Sequence, residues 1–137
     1  MSGDERLPKP SFDGRVFGSV ANDADGDVGN ETYFWFDQRD DRIHARYSGG
    51  SIRLGHLVGH HLGKTLDFRY THVTVDGEIA TGHSTDRIER LDDGRLRLHE
   101  EWEWDSKPGS GSSVLEELDR RDAPHIEDPF EDSDEQG

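Results

Sequence analysis

Along most of the chain, apolar and polar residues alternate in short runs, and no stretch sustains the three-to-four-residue spacing of an amphipathic helix. Runs of β-type alternation cover 12–20, 32–37, 42–48, 51–62, 65–75, 78–91, 95–105 and 113–118. Turn chemistry separates them: "DADGDVGN", "QRDD", Gly49-Gly50, Gly63, Asp76-Gly77, "DDG" and "SKPGSG". Eight strands with short connections predict an all-β fold, a single antiparallel up-and-down β-barrel spanning 12–118. Residues 1–11 and the acidic tail 119–137 hold too little apolar surface to offset the entropy of ordering, and both are expected to be disordered. Ile126 and Phe130 are the tail side chains able to dock on the barrel or a partner.

The stretch "ARYSGGSIRLGHLVGHH", 45–61, crowds glycines and histidines together. A phosphate loop needs backbone amides aimed by a following helix, and the alternating "SIRLGHLV" does not supply one. With Gly49-Gly50 as a two-residue turn, Tyr47 pairs with Ile52 and Ala45 with Leu54, so Ile43, Ala45, Tyr47, Ile52 and Leu54 share an apolar face. The stretch reads as a hairpin. His56 and His60 would share one face of a helix, but along a strand they stand roughly 13 Å apart, too far to hold one ion. His60 and His61 point to opposite faces, and no metal site is expected.

Two further turns set an expected register in the second half. Asp76-Gly77 pairs Tyr70 with His83 and His72 with Thr81; Asp93-Gly94 pairs Arg87 with Glu100 and His83 with Trp104. The inward face then carries polar groups among large aromatics. Glu100 stands out, because a carboxyl beside Leu98, Trp102 and Trp104 must find a partner or be neutralised. The expected partner is Arg87, or water at the barrel mouth. Tyr47, Tyr70, His72, His83, Arg87, Glu100, Trp102 and Trp104 are the candidate ligand-binding residues, since an eight-stranded barrel is wide enough either to fill with side chains or to hold one small ligand.

Charge changes the picture of the surface. The chain carries a net charge of −15, with three lysines against thirteen arginines. Eight acids and two arginines fall in 119–137, but most of the excess lies within 12–118, so the acidity belongs to the fold as well as the tail. Such a surface reads as salt-adapted: carboxylates hold water and cations while salt screens their repulsion. Phosphate is repelled, which argues against nucleic acid as a partner. The absence of cysteine and of an apolar leader points to a cytoplasmic protein with no membrane partner, and leaves room for a homo-oligomer.

Other motifs fail on spacing. "NDADGDVGNE" places Gly26 fourth and Phe34 twelfth from Asp23, where a calcium loop needs glycine sixth and glutamate twelfth. "GKTL" lacks the leading glycine of a nucleotide loop. No cofactor is expected.

"FDGRVFGSV", "DFRYTHVTVDGE", "GRLRLHEEWEWDS" and "GSSVLEEL" resemble a family of short prokaryotic proteins, often labelled N-acetylglutamate synthase and grouped as avidin-like. The resemblance spans roughly 12–118, with "LHEEWEW" and "SVLEE" its most specific parts. It implies an avidin-like barrel, and the synthase label implies acetyl transfer from acetyl-CoA. The chain has no acetyl-CoA loop of the R/Q-x-x-G-x-G/A kind. The resulting expectation is a small-molecule-binding barrel. One alternative is an enzyme using Glu100 with His72 or His83 as acid and base; another is a structural protein with a filled barrel.

Overall fold

The computed structural model describes residues 10–22 and 26–122. Its strands are β1 (Val16–Asn22), β2 (Tyr33–Arg39), β3 (Arg42–Gly49), β4 (Ile52–Leu62), β5 (Thr65–Thr74), β6 (Ile79–Arg90), β7 (Leu96–Trp104) and β8 (Ser110–Leu118). Each pairs antiparallel with the next, and β1 also pairs with β8, which closes the barrel. Of the chain ends expected to be disordered, 1–11 and 119–137, the parts at 1–9 and 123–137, with Ile126 and Phe130, lie outside the described residues.

Alternation along the strands decides what fills the interior. Phe34 and Phe36 of β2, Ile43, Ala45 and Tyr47 of β3, and Leu96 and Leu98 of β7 all point inward and are buried. Phe12 was expected on the first strand. It lies instead in a turn before β1, where its amide donates to Gln38 Oε1 at 2.8 Å and its ring packs 5.4 Å from Phe36 and edge-on to His61. The residue is fully buried and floors one end of the barrel. Complete burial of a phenylalanine contributes about 1.5–3 kcal/mol.

Two expected registers need correction. In the β3–β4 hairpin the connection is Gly50-Ser51, with Gly49 opposite Ile52 and a bulge between Tyr47 and Gly49, so Tyr47 meets Gly55 rather than Ile52. Gly49 takes φ 117° where a side chain would run into the Glu31 carbonyl, so only glycine fits. A second irregularity between Ile52 and Leu54 turns Leu57 inward and leaves Leu54 half-buried.

The other correction moves β6 by one residue. Gly77 N donates to Thr74 O and Thr74 N to Glu78 O, while Gly94 N donates to Leu91 O and Leu91 N to Arg95 O. Both connections are therefore turns followed by one glycine at φ 92°, which adds a residue to the loop. Tyr70 pairs with Gly82 and Asp86 with Glu100. Ala80, Ser84 and Asp86 point inward and are buried, and the expected inward set Thr81, His83, Thr85 and Arg87 faces outward. A one-residue slip exchanges the two faces of a strand.

Candidate functional site

The barrel's two ends differ in chemistry. The end floored by Phe12 is filled by phenylalanine and leucine, whereas the opposite end gathers Trp102, Trp104, Tyr70 and His72 around unfilled space. That cavity has a volume of about 40 Å³, room for about three water-sized groups. Trp102 and Trp104 form one wall, their rings 5.4 Å apart, and Tyr70 stands edge-on to Trp104 at 5.8 Å. Trp102 donates its indole N–H to Ser113 Oγ at 3.1 Å.

Glycines make room for these rings. A methyl group at Gly55 would lie 2.4 Å from the Tyr47 ring, and one at Gly82 would lie 2.4 Å from the Tyr70 hydroxyl. Gly59 similarly allows Phe68 to cross its strand, since a Cβ there would reach 2.5 Å from the Phe68 Cβ. The glycines of "LGHLVG" are thus contact positions for aromatic side chains on neighbouring strands.

A polar chain lines the opposite wall. Asp27 Oδ2 lies 2.9 Å from His72 Nε2, and His72 Nδ1 lies 2.9 Å from the Tyr47 hydroxyl. A carboxylate only accepts, so His72 donates from Nε2 to Asp27, and in that tautomer Nδ1 accepts from the Tyr47 hydroxyl. Burial raises the Tyr47 hydroxyl well above its usual pKa, reinforced by nearby Tyr70, Glu100 and Asp27, so it remains a donor. Tyr70 is raised by the same desolvation, with Glu100 adding to it.

Asp27 belongs to the β1–β2 connection, which the sequence treated only as a polar loop. Ser51 Oγ donates to Asp27 O at 2.6 Å, and Thr32 Oγ1 donates to Gly49 O at 3.0 Å, which tie that connection to the β3–β4 turn. These ties place the Asp27 carboxylate over the cavity mouth.

Glu100 lines the cavity with Asp86 beside it across the β6–β7 ladder. Ser84 Oγ donates to Asp86 Oδ1 at 2.6 Å, while Asp86 Oδ2 is buried and receives no donor from the surrounding protein. Glu100 hydrogen-bonds to the Asp86 carboxyl across the ladder, with the proton on Glu100. Burial, and then the Asp86 charge, push Glu100 well above the usual carboxyl range. Burial also lifts Asp86, to about 6, against the hydrogen bonds from Glu100 and Ser84 that pull it down. The arrangement is a carboxyl pair that holds one proton.

Of the eight candidate residues, the structure brings six to this cavity: Tyr47, Tyr70, His72, Glu100, Trp102 and Trp104. His83 and Arg87 are corrected to the outside. His83 Nδ1 sits 2.9 Å from Asp105, and Arg87 is exposed, so neither reaches Glu100. Sequence reasoning missed Asp27, Ser84, Asp86 and Ser113. The "STD" triplet at 84–86 holds two of them at alternating positions, and its signal was lost with the register. Elsewhere, His44 Nε2 and His56 Nδ1 lie 2.8 Å apart on the outer surface, and no group of three metal-ligating side chains occurs among the described residues. No helix among the described residues is long and apolar enough to cross a membrane.

The family model described as avidin-like protein matches residues 10–118. The chain belongs to that family. No curated protein matches it, and no solved structure does.

Proposed function

We propose that this avidin-like barrel binds a small molecule in the cavity at its tryptophan end, in a salt-adapted cytoplasm. The observation that carries this reading is the grouping of Asp27, His72, Tyr47 and Glu100 around unfilled space, while the other end of the same barrel is packed with phenylalanine. Polar groups in an apolar interior return little net stability even when bonded, and an unpaired one costs about 1–3 kcal/mol. Folding alone favours the phenylalanine solution at both ends. Polar groups converging in an aromatic-walled cavity are what ligand recognition requires.

Native mass spectrometry of protein purified gently from its own host tests the proposal. The expected result is a mass above that of the polypeptide, released on denaturation and absent from a Trp104→Ala variant. A mass equal to the bare chain, together with no response to a broad small-molecule library, would count for the filled-barrel alternative.

The enzyme reading rests on one specific feature: Glu100, which retains its proton, and His72 line the same cavity. His83, on the outer surface, drops out of it. Incubation with acetyl-CoA and glutamate, monitored for free thiol, tests the transfer implied by the family label. Thiol release no faster than in buffer removes that reading.

A further inference from the structure

The cavity's charge narrows the chemistry of what it can hold. Asp27 and Glu100 line it, Asp86 stands behind Glu100, and no lysine or arginine is among the lining residues. His72, the one basic group there, has both ring nitrogens engaged by Asp27 and Tyr47. Around the carboxyl pair the remaining polar groups are Tyr47 from β3, Tyr70 from β5, Ser84 from β6, Ser113 from β8 and Asp27 above. None of these supplies a positive charge. An anion entering this space would meet carboxylates with no counter-charge, in an interior where Coulomb forces are poorly screened.

Two independent observations point to a positively charged occupant with N–H groups. Glu100 sets a buried carboxyl against the cavity and Asp27 sets a second carboxyl above it, both acceptors for N–H groups. The wall opposite consists of indole and phenol rings, whose faces attract cations. The chain itself demonstrates the second point, because Lys107 Nζ stands 4.7 Å from the centre of the Trp104 ring.

We propose that the cavity takes the primary ammonium head group of a small organic amine, held between the Trp102–Trp104–Tyr70 wall and the Glu100 carboxyl, with Asp86 behind it. This inference rests on the binding function proposed above and names its ligand class. The cavity volume suits an ammonium with one or two carbons. A longer amine extends out of the mouth past Asp27. In the empty protein the carboxyl pair holds one proton; an arriving ammonium takes over that proton's role as donor and counter-charge. Glu100 then ionises and releases the proton to solvent, so one cation is exchanged for one proton. Burial lifts Asp86 to about 6 and raises Glu100 well above the usual carboxyl range, so the release falls at higher pH than an exposed carboxyl would show. Amine affinity should therefore rise with pH through that release, until the amine itself deprotonates near pH 10.

The test uses the full-length wild-type protein and three probes of similar size: ethylammonium, ethanol and acetate, each at the same ionic strength. Binding is read from the indole N–H signals of Trp102 and Trp104, and proton release from calorimetry in buffers of different ionisation enthalpy. Ethylammonium is expected to shift both signals and release about one proton, with ethanol and acetate inert. Glu100→Gln is expected to weaken ethylammonium binding by at least about tenfold and to abolish the proton release. Two outcomes overturn the inference. If ethanol or acetate binds and ethylammonium does not, the cavity binds small molecules of another class, and the broader function stands. If none of the three and no member of a chemically diverse fragment library perturbs these signals, both the inference and the broader function fail. Because the comparison among probes needs only wild-type protein, poor folding of the Glu100 variant does not affect it.

Discussion

Asp86 and Glu100 face each other across β6 and β7 inside the barrel, and a hydrogen bond joins their carboxyls with the proton on Glu100. A pair of this kind ties stability to pH. Both carboxyls are raised on folding, so the folded state binds more protons than the unfolded chain once pH exceeds about 4. Stability from the pair is fully present below that point and is lost as pH rises through about 6 and beyond. The Asp86 shift alone corresponds to roughly 3 kcal/mol. Urea unfolding of the wild type should give a midpoint that falls between pH 5 and about 8, and Glu100→Gln should flatten that fall. A wild-type midpoint rising across this range would show that the pair is not raised.

Arg87, the partner anticipated for Glu100, should be energetically silent toward it. Exposed on β6, Arg87→Leu is expected to change stability by no more than about 0.5 kcal/mol. A double-mutant cycle between Arg87→Leu and Glu100→Gln should show additivity, whereas Asp86→Asn with Glu100→Gln should couple by about 0.5–3 kcal/mol. Coupling to Arg87 in place of Asp86 would mean that β6 is wrongly registered.

How much was legible follows from these two residues. All eight strands could be read because period-two alternation is local and turn residues punctuate it. The inward faces of β5 and β7 were also correct, including Tyr70, His72, Glu100, Trp102 and Trp104. β4 changed faces past the bulge at Ile52–Leu54, and β6 was inverted throughout, since its parity depends on the loops at both ends, and Asp-Gly serves either a two-residue turn or a longer one with a left-handed glycine. Arg87 in place of Asp86 is the direct result. Asp27 was illegible for a different reason. Its position over His72 comes from contacts of the β1–β2 connection with Ser51 and Gly49, which no local pattern encodes.

Gly55 tests whether the cavity wall depends on close ring packing. In Gly55→Ala the new methyl group collides with the Tyr47 ring, which must move away from His72 Nδ1. A loss of about 1–3 kcal/mol is expected. Gly29→Ala is the control, as nothing lies within 4 Å of its added Cβ. Equal effects of the two changes, by thermal or urea unfolding, would contradict the packing described.

Salt should stabilise the fold. With a net charge of −15, self-repulsion is strong in dilute buffer, and the screening length shrinks to about 3 Å at molar salt. The Tm is expected to climb steadily with potassium chloride into the molar range. A flat or declining Tm would remove salt adaptation as the reason for the acidity.

Binding in the tryptophan-end cavity is tested most directly by the three tryptophan indole N–H signals during a fragment screen. Trp102 and Trp104 line the cavity, whereas Trp35 lies on β2 between the inward Phe34 and Phe36 and shares the outer face with Tyr33. Trp35 is therefore an internal control. A ligand in the cavity shifts Trp102 and Trp104 with Trp35 unmoved, and Trp104→Ala removes the response at Trp102. Shifts confined to Trp35, or no shift from any fragment, would contradict a binding cavity in this barrel.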